Sequence, residues 1–472
     1  MHGAIAMKTF LLGSAALFVL AGAASAADLS FKMPVKAAPA VGYDWSGFYI
    51  GGYYGNAVSE TKAHTDPPGI GPGTQSGVAD INKLGLTIGG TVGYNWQLAP
   101  SWLIGVEGDL GYLGIDNTHQ EWDDTILAGS KADWYGTARA RVGYVIGPSL
   151  LYVTGGAAFV HATDTFGGGA PGTAVATTNT GTLTGWTVGG GIETKLTRNW
   201  SGKTEYLFID AGSTTFASNP GGFAGTPTTF DHTYHVIKAG LNYKLDGHWE
   251  GLPFFTAPLL ASNHSWGGFY AGVNVGAGMS LVHGIDDGNV PGGEQDINGT
   301  GFAAGGQAGY NYLITPRWFA GVEGDIGYLG INGSVADWFD TPDTFTVQTS
   351  WYATARARVG STTGPALLYV TAGGAWVGLK DGFAVSTVPG ASGPGDVSSR
   401  VAGGWTIGGG TEVAIDSRWS AKLESLYIDV GHRQHADMIP APFFNADYKE
   451  RFMVVRAGMN YKFGDDVLGA GY

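Results

Sequence analysis

The residues best spaced for chemistry are two carboxylates, Glu107 and Asp109, and two guanidinium groups, Arg139 and Arg141. Both pairs return later in the chain, as Glu323 with Asp325 and Arg356 with Arg358. Paired carboxylates could serve as general acid and base. Carboxylates facing arginines would instead neutralise one another as ion pairs. Glu193, Lys203, Glu205 and Lys238 extend the first set, and Glu412, Lys422, Glu424 and Arg456 extend the second.

The segments carrying these groups decide between the two chemistries. VEGDLGYLGI at 106–115 returns as VEGDIGYLGI at 322–331, and WYGTARARVG at 134–143 returns as WYATARARVG at 351–360. Successive side chains of an extended strand point to opposite faces. Val106, Gly108, Leu110 and Tyr112 therefore share one face, and Glu107, Asp109 and Gly111 the other. Ala138, Ala140 and Val142 likewise oppose Thr137, Arg139 and Arg141. A soluble sandwich would put its apolar face in a core and its charges in water. Charges of both signs on neighbouring strands, each backed by an apolar face, fit a barrel with lipid outside and a charged lumen inside. An eight-stranded barrel is just wide enough for side chains to fill it, so the charges must pair, and the expected role is a structural ion-pair plug. A polar conduction path is the competing reading.

Composition agrees. Charged residues make up 14% of the 472 residues, below the roughly 25% usual in soluble proteins, while aromatics reach 12%. The 81 glycines follow no three-residue period, which excludes collagen, and many adjoin aromatic residues within strand-like segments, where they let a barrel wall bend. The absence of cysteine excludes disulfides, thiolate metal sites and a cysteine nucleophile. A net charge of -14 without a basic patch argues against nucleic acid as a partner.

Residues 1–26 read as a signal peptide: Lys8, an apolar run over 11–23, then Ala24-Ser25-Ala26 before the cut. Residues 27–44 read as a periplasmic linker. No later segment is apolar enough for a spanning helix, so a membrane chain must be a closed barrel. Eight strands are expected, at about 45–55, 83–97, 102–115, 134–146, 150–161, 182–196, 200–211 and 233–245. Short turns at 99–101, 147–149 and 197–199 alternate with long polar loops at 57–82, 116–131, 163–181 and 212–232, the layout of an outer-membrane barrel with short periplasmic turns.

The scheme then restarts. Trp266-Gly267-Gly268-Phe269-Tyr270 answers Trp45-Ser46-Gly47-Phe48-Tyr49, GWTVGGGIE at 185–193 returns as GWTIGGGTE at 404–412, WSGKTEYLFID at 200–210 returns as WSAKLESLYID at 419–429, and KAGLNYKL at 238–245 returns as RAGMNYKF at 456–463. A spacing of 216 to 221 residues marks a whole-domain duplication. The expected fold is all-β: two tandem eight-stranded antiparallel transmembrane barrels at 45–245 and 266–463, a linker at 246–265 and a tail at 464–472. The alternative closes all sixteen strands into one barrel, which would make a porin-like passive channel for small solutes. The roughly twenty-residue linker favours separate barrels, since one barrel needs only a short turn there.

These motifs, with the leader, the Arg139-Ala140-Arg141 strand and the closing Gly240-Leu241-Asn242-Tyr243-Lys244-Leu245, resemble the outer-membrane immunogenic proteins of alphaproteobacteria, which carry an OmpA-like barrel. The resemblance spans nearly the whole chain, twice. It implies a place in the outer membrane among lipid and lipopolysaccharide, delivery by periplasmic chaperones and the barrel-insertion machinery, and a surface-antigen role with loops open to host or environmental ligands. Two departures stand out: the barrel is doubled, and the chain runs past the final-strand aromatic. The insertion signal is therefore expected among Tyr461, Phe463 and Tyr472. Trp102, Tyr112, Trp134, Tyr144, Trp186, Trp200 and Tyr243 lie near strand ends and suit interface girdles.

No catalytic residues are expected. The sequence has no nucleophile elbow, zincin helix or phosphate loop. No cofactor or metal is expected either: His432 and His435 lack a matching carboxylate cluster, and Glu121-Trp122-Asp123-Asp124 lacks the glycine and closing glutamate of a calcium loop.

Overall fold

The computed structural model describes residues 43–65, 78–120, 126–168, 175–216, 227–246, 262, 264–286, 294–336, 344–384, 396–436 and 445–464. The expected signal peptide, most of both linkers, the 121–124 loop and most of the tail, Tyr472 included, lie outside them. Among the described residues no helix is long and apolar enough to cross a membrane.

Eight strands form the first barrel: β1 (Gly47–Thr65), β2 (Val78–Ala99), β3 (Trp102–Gln120), β4 (Ile126–Ile146), β5 (Ser149–Gly168), β6 (Val175–Lys195), β7 (Trp200–Phe216) and β8 (Thr228–Lys244). Each pairs antiparallel with the next, and β1 pairs with β8, from Tyr49 opposite Lys244 to Thr65 opposite Thr228. The wall is thus closed. The second copy has β9 (Gly268–Ser280), β10 (Val282–Asp286), β11 (Glu294–Ile297), β12 (Gly299–Leu313), β13 (Trp318–Leu329), β14 (Asn332–Ala336), β15 (Thr344–Thr362), β16 (Ala366–Ala384), β17 (Asp396–Ala414), β18 (Trp419–Ala436) and β19 (Asn445–Lys462). Its long strands β9, β12, β13, β15, β16, β17, β18 and β19 close through β9 and β19, and β10, β11 and β14 extend the wall at the long-loop end. The eight-strand rings exclude the single sixteen-stranded barrel: β8 returns to β1 and β19 to β9.

The expected alternation is realised. On β3, Val106, Leu110 and Tyr112 are 49%, 65% and 54% exposed on the outside, while Glu107 and Asp109 keep 3% and 6% inside. The strands are longer than the sequence pattern indicates. Much of each expected polar loop, such as 57–65, 78–82 and 175–181, continues the hydrogen-bonded ladder. A ladder needs only backbone groups, and beyond the apolar belt the outward residues meet water, so hydropathy no longer marks the strand.

Near the long-loop end of both copies a bulge resets the register, between Asp210 and Gly212 and between Asp429 and His432. Gly212 (φ 83°) and Gly431 (φ 85°) take the left-handed conformation that glycine tolerates best. The N–H of each donates to the aspartate two residues back, at 3.0 Å to Asp210 and 2.9 Å to Asp429.

Inside the first barrel, side chains stack in layers. Trp45, Leu103, Leu150 and Tyr152 close the short-turn end. A charged layer follows, then an apolar one including Leu113, Tyr135, Val160, Leu207 and Val236. Above it, buried Asp164 lies 3.0 Å from His232 and accepts the hydroxyls of Ser130 (3.0 Å) and Thr214. Phe166, Phe216 and Phe230 cap the stack.

Candidate functional site

All sixteen charged residues singled out in the sequence point into a lumen and are buried. In each barrel four carboxylates meet four cations. Register arranges this locally: Glu107 lies opposite Arg139, Glu193 opposite Lys203 and Glu205 opposite Lys238. The second copy repeats the pattern with Glu323 opposite Arg356, Glu412 opposite Lys422 and Glu424 opposite Arg456. Directly opposed unlike charges are the favourable cross-strand arrangement.

The network also crosses the lumen. Arg139 on β4 reaches Glu107 at 2.6 Å and Asp109 at 2.5 Å on β3, and Glu205 at 2.9 Å on β7. Lys203 lies 2.8 Å from Glu107, and Lys238 bridges Asp109 (2.5 Å) and Glu205 (2.9 Å). Arg141 joins Glu107 at 3.4 Å to Glu193 at 3.0 Å, with its guanidinium 4.8 Å from the centre of the Tyr49 ring. In the second barrel Arg356 reaches Glu323 (2.5 Å), Asp325 (2.6 Å) and Glu424 (3.1 Å), and Arg358 joins Glu323 (2.9 Å) to Glu412 (3.3 Å). Lys422 holds Glu323 at 2.8 Å. Arg456 replaces Lys238 and grips Asp325 at 3.0 Å and Glu424 at 2.5 Å; its Nη1 also donates to the Tyr352 hydroxyl at 2.7 Å.

Neutral donors complete the set, and sequence reading missed them. Tyr49 donates to Glu107 at 2.6 Å and Tyr152 to Glu205 at 2.9 Å; Tyr270 and Tyr369 repeat these contacts on Glu323 and Glu424 at 2.7 and 2.8 Å. Ser201 and Asn242 donate to Glu193 at 2.5 and 2.8 Å. The signal was available in the alternation: Tyr49 falls on the face opposite Phe48 and Ile50. The Tyr49 ring needs the space a side chain would take at Gly93, where an added Cβ would collide with its hydroxyl, and Tyr270 stands in the same relation to Gly309.

Two chemical readings can be weighed here. Oxygens of Glu107, Asp109 and Glu205 lie within 4.8 Å of one another, close enough to hold a metal ion. Arg139, Lys203 and Lys238 already sit among those oxygens and supply the positive charge a cation would bring. The same contacts tie all three carboxylates into ion pairs, and of their oxygens Asp109 Oδ1 alone lacks a hydrogen-bond partner. His432, weighed in the sequence as a ligand, has its Nδ1 3.3 Å from Asp447 on the adjacent strand; the side chain of His435 lies outside the described residues.

At the end of β19, Tyr461 packs edge-on against Trp419 (5.0 Å between centroids) and Phe463 (5.6 Å). The Phe463 N–H donates to the Phe269 carbonyl at 3.0 Å, so the ladder runs on to Phe463, whose ring is exposed. That ring borders an outer-wall groove of about 950 Å³ with Phe269, Tyr310 and Val322. The first copy has Leu245 at this place, making the same contact with Phe48 at 2.8 Å. Of the expected girdle residues, Trp102, Tyr112, Trp134, Tyr144 and Trp186 are exposed outside, whereas Trp200 and Tyr243 pack on each other and are buried.

A family model described as "Outer membrane protein beta-barrel domain" matches residues 14–250 and again 251–468. The 31 kDa outer-membrane immunogenic protein of Brucella melitensis biotype 1 is 32% identical over 245 residues, covering 50% of this chain and 100% of its own length. The 22 kDa outer membrane protein of Rhizobium leguminosarum bv. viciae is 31% identical, covering 45% of this chain and 82% of its own. Among solved structures, Neisserial surface protein A is similar over 41% of this chain and 97% of its own, at 15% identity and a TM-score of 0.23.

Proposed function

This chain belongs to the outer membrane protein β-barrel family and resides in the outer membrane, and from that premise we propose that it is a non-catalytic envelope protein and surface antigen, built as two plugged barrels that hold long loops outside the cell. The observation that carries this reading is the charge-balanced ion-pair network: in each lumen four acids meet four bases among packed apolar layers. A water-filled porin would leave its lumen charges hydrated. Here each is held by protein partners, which supports a scaffold over a channel. The antigen role is carried over from the immunogenic relatives.

The partners follow from the same reading. Outer-membrane lipid and lipopolysaccharide contact the apolar belt, periplasmic chaperones and the insertion machinery deliver the chain after its signal peptide is removed, and the exposed aromatic at Phe463 marks its last strand for insertion. Host or environmental ligands are assigned to the loops. Antibodies raised against whole cells test the surface role: binding to intact cells, lost when the loops are shaved by protease, is expected, and binding only after cell lysis would refute it.

A further inference from the structure

The outer wall of the first barrel is not uniformly lipid-facing. Tyr54 and Leu86, on β1 and β2, are 71% exposed, yet Val58, on the same outward face of β1, is 0% exposed. Outward Tyr206 on β7 and His235 on β8 are buried too. What covers Val58 and Tyr206 is the other copy, while His235 packs beside them against Tyr206 and Phe208. Val58 and Tyr206 share one apolar cluster with Met279, Leu281, Met453 and Val455.

We propose that the chain is a covalently joined, pseudo-two-fold dimer of barrels, in which this face of each barrel recognises its counterpart on the other. Aligning the repeated motifs matches Val58 with Met279, Ile237 with Val455 and Phe208 with Tyr427, and all six lie in or against that cluster. A two-fold contact has the property that if residue i touches j, then j touches i. The tripeptide Asp-Ile-Asn occurs at 80–82 and again at 296–298. The Asn82 N–H donates to Asp296 at 3.0 Å, and the Asn298 N–H donates to Asp80 at 2.9 Å. Asp80 and Asp296 face one another as an antiparallel pair, so the axis passes between them. Both carboxylates are buried. His283 lies 2.7 Å from Asp296 and Lys62 4.0 Å from Asp80, at matching positions of the two copies.

The short-turn end obeys the same operator with different chemistry. Ile192 stands opposite Thr204 across β6 and β7, and the matching positions Thr411 and Leu423 stand opposite each other across β17 and β18. The operator sends the contact of Thr204 with Thr411 to that of Leu423 with Ile192. The first is a hydroxyl pair at 2.6 Å, and the second lies within one apolar cluster. Each contact is matched within itself, hydroxyl to hydroxyl and aliphatic to aliphatic, as expected of a surface shaped by its partner.

The chain has no cysteine, so the interface can be tested by oxidative cross-linking of the full-length protein in isolated outer membranes. Thr204→Cys with Thr411→Cys should cross-link within one chain under copper-phenanthroline, seen as a shifted monomer band on a non-reducing gel. Ile192→Cys with Leu423→Cys should do the same. Leu110→Cys with Ile326→Cys, placed on the exposed walls, should give at least tenfold less. Absence of the first two products from folded, heat-modifiable protein would overturn the proposal, and so would products only at twice the chain mass, which would place the interface between chains.

Discussion

Arg139 Nη1 and Glu205 Oε1 meet at 2.9 Å across the first lumen, joining β4 to β7, which do not pair. Arg356 and Glu424 repeat the contact at 3.1 Å in the second barrel. These pairs tie opposite walls together, and removing one partner strands charges that water cannot reach. Arg139→Ala should therefore cost the first barrel about 3–5 kcal/mol, read as a lower urea midpoint or slower folding in detergent. Arg139→Ala with Glu205→Ala should cost less than the sum of the two single changes, because the double change deletes a balanced pair. An unchanged midpoint and folding rate in Arg139→Ala would remove the network from the account.

Tyr49→Phe deletes one donor to Glu107 and keeps the ring over Arg141. A hydrogen bond to a charged group contributes about 1.5–3 kcal/mol, so a stability loss of that size is expected, matched by Tyr270→Phe in the second barrel. Equilibrium unfolding checks it. Loss of the Tyr49 ring in Tyr49→Ala should cost more.

Much of this was legible in the sequence, for a physical reason. Between lipid and a packed lumen the two faces of a strand have opposite chemistry, so Val106 and Glu107 declare their sides at once. Where the wall rises beyond the belt that contrast fades, and the ladder at Ser59 or Thr177 continues unseen. The bulges at Asp210 and Asp429 break the alternation, and the short strands β10, β11 and β14 carry too few residues to show a period. Tyr49 and Tyr152 were readable by parity but are overshadowed by the charges they serve. The buried outward face at Val58 and Tyr206 was not readable, because a strand looks the same whether lipid or another barrel covers it.

The bulge glycines should resist substitution. Gly212→Ala forces a side chain into a left-handed conformation that costs roughly 1–2 kcal/mol, and Gly212→Asn should cost less. Thermal unfolding of both variants measures this. Equal stability of Gly212→Ala and the unmodified chain would mean that the backbone can relax there.

Phe463 and Leu245 occupy matching ends of β19 and β8. If the exposed aromatic is the insertion signal, Phe463→Ala should slow assembly on the insertion machinery several-fold, while Leu245→Ala leaves it unchanged. Pulse-chase appearance of the heat-modifiable folded form in membranes distinguishes them. Equal rates for Phe463→Ala and the unmodified chain would move the signal elsewhere.

The most direct measurement is single-channel conductance of the refolded full-length protein in a planar bilayer, with insertion verified by protease protection. Two plugged barrels predict silence or brief small flickers at all voltages. Large, stable, ohmic openings would contradict the plug and assign the protein to passive transport.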